Sequence, residues 1–444
     1  MAITQVNLRY WHGRRSGMNG NGVVVSRGIP FARARRFGIP ERVPYAGPDS
    51  HRQPVAAPQL PGRLEPVMGA PVRLPQSEDC LELTVTAPAA AEPGGRPVMV
   101  WIHGGAYLAG SGAWNLYDAA QLVRETGIVV VSINYRLGVL GYLRLPGVSP
   151  GNLGLLDQIA ALEWVRDHIG AFGGDPTRVT VAGQSAGAHS VVAMLGIEST
   201  RGLFGRAIVQ SSPFGVGFQS PAKAQRAART FLAALGADPR DASVADVLAA
   251  QAGAVKKLAG PGGLNSAPAF LPIAGVDPLP AQPHWRDAVV DRANELQVVI
   301  GATADEMGAF YGGPHPVFSR IRSVPGVGPR LVSSVQKLVG RKAFEDGATD
   351  FADLLAAHGA DVYRYRVNTV HPDNPFGACH CLELPLLFGD ASAWHDAAML
   401  RPLTPAQVRA RGVPTRNRWG AFVRSGEPGW SRHMPGSTVI HQFP

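Results

Sequence analysis

A chain of 444 residues that is 45% hydrophobic and 17% charged is apolar enough to bury a sizeable core. No run of about 18 apolar residues interrupts it, which excludes a membrane-spanning helix. The net charge of +9 comes mostly from arginine, but the basic residues cluster only loosely, at Arg33, Arg35 and Arg36 and again over 401–418. They do not interleave with aromatics as a nucleic-acid platform would, so no nucleic-acid partner is expected. The N-terminal MAITQVNLRYWHGRRSG has neither the apolar stretch nor the small-residue cleavage site of a signal peptide, and a cytoplasmic protein is the expectation.

Three cysteines (Cys80, Cys379 and Cys381) cannot build a disulfide framework, and their odd number fits a reduced compartment. In Cys379-His380-Cys381 the two thiolates stand too close to complete a usual zinc site, so no metal is expected.

In chain order, TQVNLRY and GVVVSRGIP alternate as strands around a Gly/Asn-rich turn at 17–22. A proline-rich irregular run follows, broken by Ser77-Glu78-Asp79-Cys80-Leu81 and leading into the strand LELTVTAP. Residues 97–102 (PVMVWI) read as a buried strand ending in His103-Gly104-Gly105-Ala106. Two adjacent glycines leave backbone N–H groups bare for a carbonyl oxygen. Residues 128–135 (IVVVSINY) are the next strand, and apolar residues at helical spacing over 155–169 predict a crossover helix.

The stretch 178–195 (RVTVAGQSAGAHSVVAML) joins a strand, the turn Gly183-Gln184-Ser185-Ala186-Gly187 and a helix. That sequence is the signature of a nucleophile elbow, which lifts a serine hydroxyl above the sheet and points the first helical N–H groups at a developing oxyanion. Short strands then follow at 207–210 (AIVQ), 297–300 (QVVI) and 361–367 (DVYRYRV). Residues 220–290 are alanine-rich and helical in pattern, 312–345 read as loop or lid, and the tail holds a helix around Trp419 and Phe422 and a last strand, STVIHQF. Alternating strands and helices predict a mainly parallel sheet, with the site at the carboxyl ends of its strands. No linker divides the chain. The expectation is one domain over 1–444, with a cap drawn from 213–290 and 312–345.

Serine, then carboxylate, then histidine is the chain order of α/β-hydrolases. On spacing alone the acid is Asp305 or Glu306, and the base is one of several histidines. His189 lies on the elbow helix and His103 in the glycine loop, whereas His380 falls on a late loop.

GIP-FA and RF near the start, SEDCLELTV, VWIHGGAY, INYRLGVLGYL, the elbow segment, FGRAIVQSS, GATADE, GACHCLELPLLFG and RNRWGAFVRSGEP run through the whole chain in one order. Together they resemble the type B carboxylesterases, the family of cholinesterases and bacterial para-nitrobenzyl esterases. The resemblance implies an α/β-hydrolase fold with Ser185 as nucleophile, Glu306 as acid and His380 as base, and with Gly104, Gly105 and Ala186 donating to an oxyanion. It implies hydrolysis of small esters through an acyl-enzyme, with no cofactor and a small-molecule ester as partner; it fixes no oligomeric state. Gln184 stands where the family often has Glu, and no cysteine precedes Cys80 to pair with it, as one does in secreted members. Tyr107, Leu108, Gln184, Phe214, Phe218, Phe310 and Tyr311 are the candidate pocket residues. Acyl transfer, or lactone or carbamate cleavage, would use the same triad. A cholinesterase-like adhesion protein would keep the fold without a triad, and the intact triad residues here argue against it. A neutral His380 acting as base predicts activity rising between about pH 6 and 7.5.

Overall fold

The structure, a computed structural model, describes residues 18–19, 22–47, 50–90, 95–260, 267–311, 320–321, 323–324, 327–368, 371–390 and 392–443. The first predicted strand, TQVNLRY, lies outside them. Among the described residues ten strands form one sheet: β1 (Met18–Asn19), β2 (Val23–Pro30), β5 (Glu82–Pro88), β6 (Arg96–Ile102), β7 (Val129–Ile133), β8 (Gly174–Gln184), β9 (Arg206–Gln210), β10 (Gln297–Thr303), β11 (Asp361–Val367) and β12 (His441–Phe443). Two short strands, β3 (Ala32–Arg33) and β4 (Glu41–Arg42), pair apart from it. The spatial order is β1-β2-β5-β7-β6-β8-β9-β10-β11-β12. β1, β2, β5 and β7 pair antiparallel, and every pairing from β7 to β12 is parallel.

Parallel strands are covered on both faces, so their sequences lose the alternation of a half-exposed strand. β6 shows this directly. Val98, Val100 and Ile102 join the apolar layer on one face, and Met99 and Trp101 join the layer on the other. The continuous run PVMVWI is therefore one strand serving two cores. The helix Leu153–His168 lies in the first layer through Leu155, Ile159, Leu162 and Val165, and Pro405–Ser425 lies in the second through Trp419 and Phe422.

A buried ion pair ties the loop after β7 to the crossover helix. Arg136 binds Asp157 through Nε at 2.8 Å and Nη2 at 2.7 Å, and its Nη1 donates to the Gly38 carbonyl at 2.7 Å. Both side chains are almost wholly enclosed. Arg136→Met would leave the Asp157 carboxylate buried without its partner, a loss of about 3–5 kcal/mol. The urea midpoint should fall accordingly with the slope unchanged; a shift under about 1 kcal/mol would contradict this role.

Residues 213–290 supply the helices Pro221–Leu235, Val244–Leu258 and Gln282–Asp291. The first two begin on serine caps, Ser220 and Ser243, whose hydroxyls accept from the N–H groups of Lys223 and Asp246. The loop expectation for 312–345 is corrected where the chain is described. Gly328–Gly340 is an α-helix that runs into a π-turn at Arg341–Glu345. Glycines and prolines flank that helix without interrupting it, and flanking punctuation hid its periodicity. Residues 312–319, 322, 325 and 326 lie outside the described set.

Candidate active site

Four parallel strands deliver the site from their carboxyl ends. β8 ends at Gln184, and Ser185 follows with φ 56° and ψ −121° as the residue before the helix Ala186–Met194. This positive φ, strained for a serine, has visible supports. The Ser185 N–H donates to the Gln210 carbonyl at 2.9 Å, and its own carbonyl accepts from His189 N–H at 2.9 Å. A Cβ on Gly183 would lie 2.5 Å from the Gly187 carbonyl carbon, and one on Gly187 would lie 2.0 Å from the Ile102 oxygen. Both glycines are required because strand, helix and β6 meet without room for a methyl group.

β6 delivers the glycine loop. Gly104 is pressed against the elbow: a Cβ there would stand 2.8 Å from the Gln184 carbonyl oxygen and 3.2 Å from the Ser185 Cβ. Gly105 has φ 113°, and its carbonyl accepts from Leu108 and Ala109 N–H groups. The N–H groups of Gly104 and Gly105 meet no acceptor among the described residues. Ala186 opens its helix, where the first N–H groups have no intrahelical partner. His103 props this loop. Burial pushes its imidazole down to about 4, Nδ1 donates to the Gly104 carbonyl at 2.8 Å, and its ring stacks on Tyr135.

β10 and β11 bring the remaining pair. Glu306 Oε2 accepts from His380 Nδ1 in a very short contact between enclosed side chains. Its other oxygen accepts from Thr303 N–H at 2.8 Å, and the His380 N–H donates to the Glu306 carbonyl at 3.2 Å. Asp305, the other acid left open by spacing, instead holds the loop: its carboxylate accepts from Ala378 N–H at 3.1 Å. On the far side of the imidazole, the Gln184 side-chain amide lies 3.1 Å from Nε2, and the Cys381 thiol donates to Gln184 Oε1 at 3.5 Å.

Burial works against the charged form of His380, but Cys381 and Glu306 more than offset it, so this imidazole titrates well above the ordinary 6.5. Burial also pushes the Cys381 thiol up. Near neutrality it is therefore a thiol, and Glu306 is the charge that favours the imidazolium. Beneath the triad geometry lies another carboxyl. Glu383 is fully enclosed, accepts from the Ser211 hydroxyl at 3.0 Å, and is pushed up to about 7 by burial, with the charge of Glu306 adding to it.

Ser185 and His380 open onto a cavity of about 1060 Å³ whose walls include Gly104, Gly105, Leu108, Gln184, Phe218 and Phe310. Three candidate pocket residues lie elsewhere. Tyr107 is 1% exposed, with its hydroxyl on His189 Nδ1 at 2.9 Å. Phe214 packs on Phe351, and Tyr311 sits in a small cluster with Met307, Val332 and Phe344. Their expected pocket role is corrected: an aromatic ring near a strand end was captured by the core. His189 is likewise packed, and burial pushes it down to about 4. Arg63, on the cavity wall, was missed because it stands in an irregular stretch with no pattern. Ser211 was missed too, although it directly follows a predicted strand.

The sequence model of the carboxylesterase family matches residues 4–316. The chain belongs to the carboxylesterase family. It is an enzyme, a carboxylesterase-type hydrolase of α/β-hydrolase fold. It is 55% identical to a probable N-octanoylanthranilate hydrolase of Rhodococcus erythropolis, with 97% of this chain and 95% of that one covered. It is 32% identical to the para-nitrobenzyl esterase of Bacillus subtilis (strain 168), over 94% and 89% of the two chains, and 32% identical to the phenmedipham hydrolase of Pseudarthrobacter oxydans, over 92% and 87%. Among solved structures, a thermophilic para-nitrobenzyl esterase superimposes with a TM-score of 0.80 at 30% identity, covering 96% of this chain and 93% of the other. No helix among the described residues is long and apolar enough to cross a membrane.

Proposed function

We propose that this carboxylesterase cleaves acyl groups from small aromatic alcohols or amines, with Ser185 as nucleophile, His380 as base and Glu306 as the group that orients it. The observation that carries the reading is the Glu306–His380 pair beside a serine held on a strained elbow at one large cavity. Ser185 Oγ attacks the acyl carbon as its proton passes to His380 Nε2, which exchanges the Gln184 amide for the serine hydroxyl as substrate settles. The N–H groups of Gly104, Gly105 and Ala186 receive the negative oxygen. His380 then protonates the leaving oxygen or nitrogen, and water, deprotonated by the same nitrogen, releases the acid from the acyl-enzyme. Residues 1–444 act as one domain on this reading, supported by a sheet that takes strands from Met18–Asn19 through His441–Phe443. Three unpaired thiols favour a cytoplasmic location.

An aromatic leaving group and a medium-chain acyl group are what the 55%-identical relative's name describes. Apolar walls such as Leu108, Phe218, Val255 and Leu271 suit the acyl chain. Phenyl acetate, butyrate and octanoate, with N-octanoylaniline as the amide, test this. Rising kcat/KM towards octanoate is expected. No turnover of any ester by folded protein would overturn the reading.

A further inference from the structure

We propose that Arg63 is the anchor for a negative charge on the leaving group, so that the enzyme prefers substrates whose alcohol or amine portion carries a carboxylate. This rests on the triad reading above, because it uses the side from which the leaving group departs. His380 must hand its proton to the departing atom, so that portion of the substrate lies against His380. The Phe310 ring is packed 5.2 Å from the His380 ring. The Arg63 guanidinium lies over Phe310, 5.6 Å from its centroid, and all three residues line the cavity. From the base outwards the order of contacts is imidazole, aromatic ring, guanidinium.

The guanidinium is available. Arg63 is an exposed residue of the cavity wall and has no carboxylate partner among the described residues. Its near neighbour Glu65 is taken by Arg73 at 2.7 Å and by the Gly62 N–H at 2.7 Å. Stacking on a ring occupies the face of a guanidinium and leaves its N–H edge free for a bidentate carboxylate. The other charges on the wall act in the same direction. Lys223, Arg226 and Lys256 face the cavity from the cap helices, against the single carboxylate of Glu65. Gln184, beside the base, contributes no negative charge.

The test compares 4-carboxyphenyl octanoate with its methyl ester, the neutral match, on wild type, Arg63→Gln, Arg63→Lys and Lys256→Gln at low salt. The readout is the ratio of kcat/KM for the anionic and neutral substrates, which a merely structural role would not move. Wild type should favour the anion about fivefold, the upper scale of one exposed charge contact. Arg63→Gln should bring the ratio near one, chiefly through KM. Arg63→Lys should keep part of the preference, and Lys256→Gln should keep nearly all of it. A ratio unchanged in Arg63→Gln, a wild type without preference, or an equal loss in Lys256→Gln would overturn the anchor. Turnover of the neutral ester carries the triad reading whatever the ratio does, whereas no turnover of either ester overturns both.

Discussion

Ser185→Ala is expected to lower kcat by about a million-fold, the scale seen when the nucleophile of a triad is removed. The hydroxyl is the only atom lost. The elbow is held by the backbone bonds to Gln210 and His189 and by the absence of side chains at Gly183 and Gly187, none of which the substitution touches. Alanine carries the same left-handed φ as the serine it replaces, so the thermal midpoint should move little. A folded variant that keeps more than about one-hundredth of wild-type kcat on phenyl butyrate would show that Ser185 is not the attacking group.

Glu306→Gln is expected to lower kcat about ten-thousand-fold through the imidazole tautomer. Thr303 N–H holds one oxygen of Glu306 and His380 Nδ1 meets the other. A glutamine in this place keeps its oxygen on Thr303 and turns its NH2 to Nδ1. That leaves the ring proton on Nε2, which can then no longer accept from the serine. The pH profile moves as well. Burial opposes the imidazolium, but the Glu306 carboxylate on Nδ1 favours it and the balance lies well above 6.5, so neutral His380, and activity with it, should appear only as pH rises through a range above that value. This is higher than the sequence-based expectation of about 6 to 7.5. Removing the carboxylate removes a raising influence, and the acid limb of the residual kcat/KM should shift to lower pH. An unshifted limb with undiminished kcat would contradict the orienting role of Glu306.

The parts of the site that were legible in the sequence are those where backbone geometry dictates residue type. Gly183 and Gly187 are written into the elbow because a Cβ at either would strike backbone, and Gly104 and Gly105 into the loop for the same reason. The strands were legible because burial on both faces leaves short continuous apolar runs. Choices settled by side-chain direction were not. Asp305 and Glu306 are adjacent, and only the fold shows that one grips the loop backbone while the other reaches the imidazole. Tyr107 and Leu108 are adjacent too, yet the first turns into the core and the second faces the cavity. The contact of Gln184 with His380 spans 196 positions, and Arg63 reaches Phe310 from a stretch with no periodicity. Such pairings belong to tertiary structure and leave no local signature.

The most direct measurement is the intact mass and peptide map of the folded wild type after paraoxon. One diethylphosphoryl group on the peptide that carries Ser185, absent from Ser185→Ala, is the predicted result, since a serine activated by a base and faced by oxyanion donors reacts far faster than an ordinary hydroxyl. No adduct, or an adduct on another residue with esterase activity lost in step, would contradict the assignment of Ser185, His380 and Glu306.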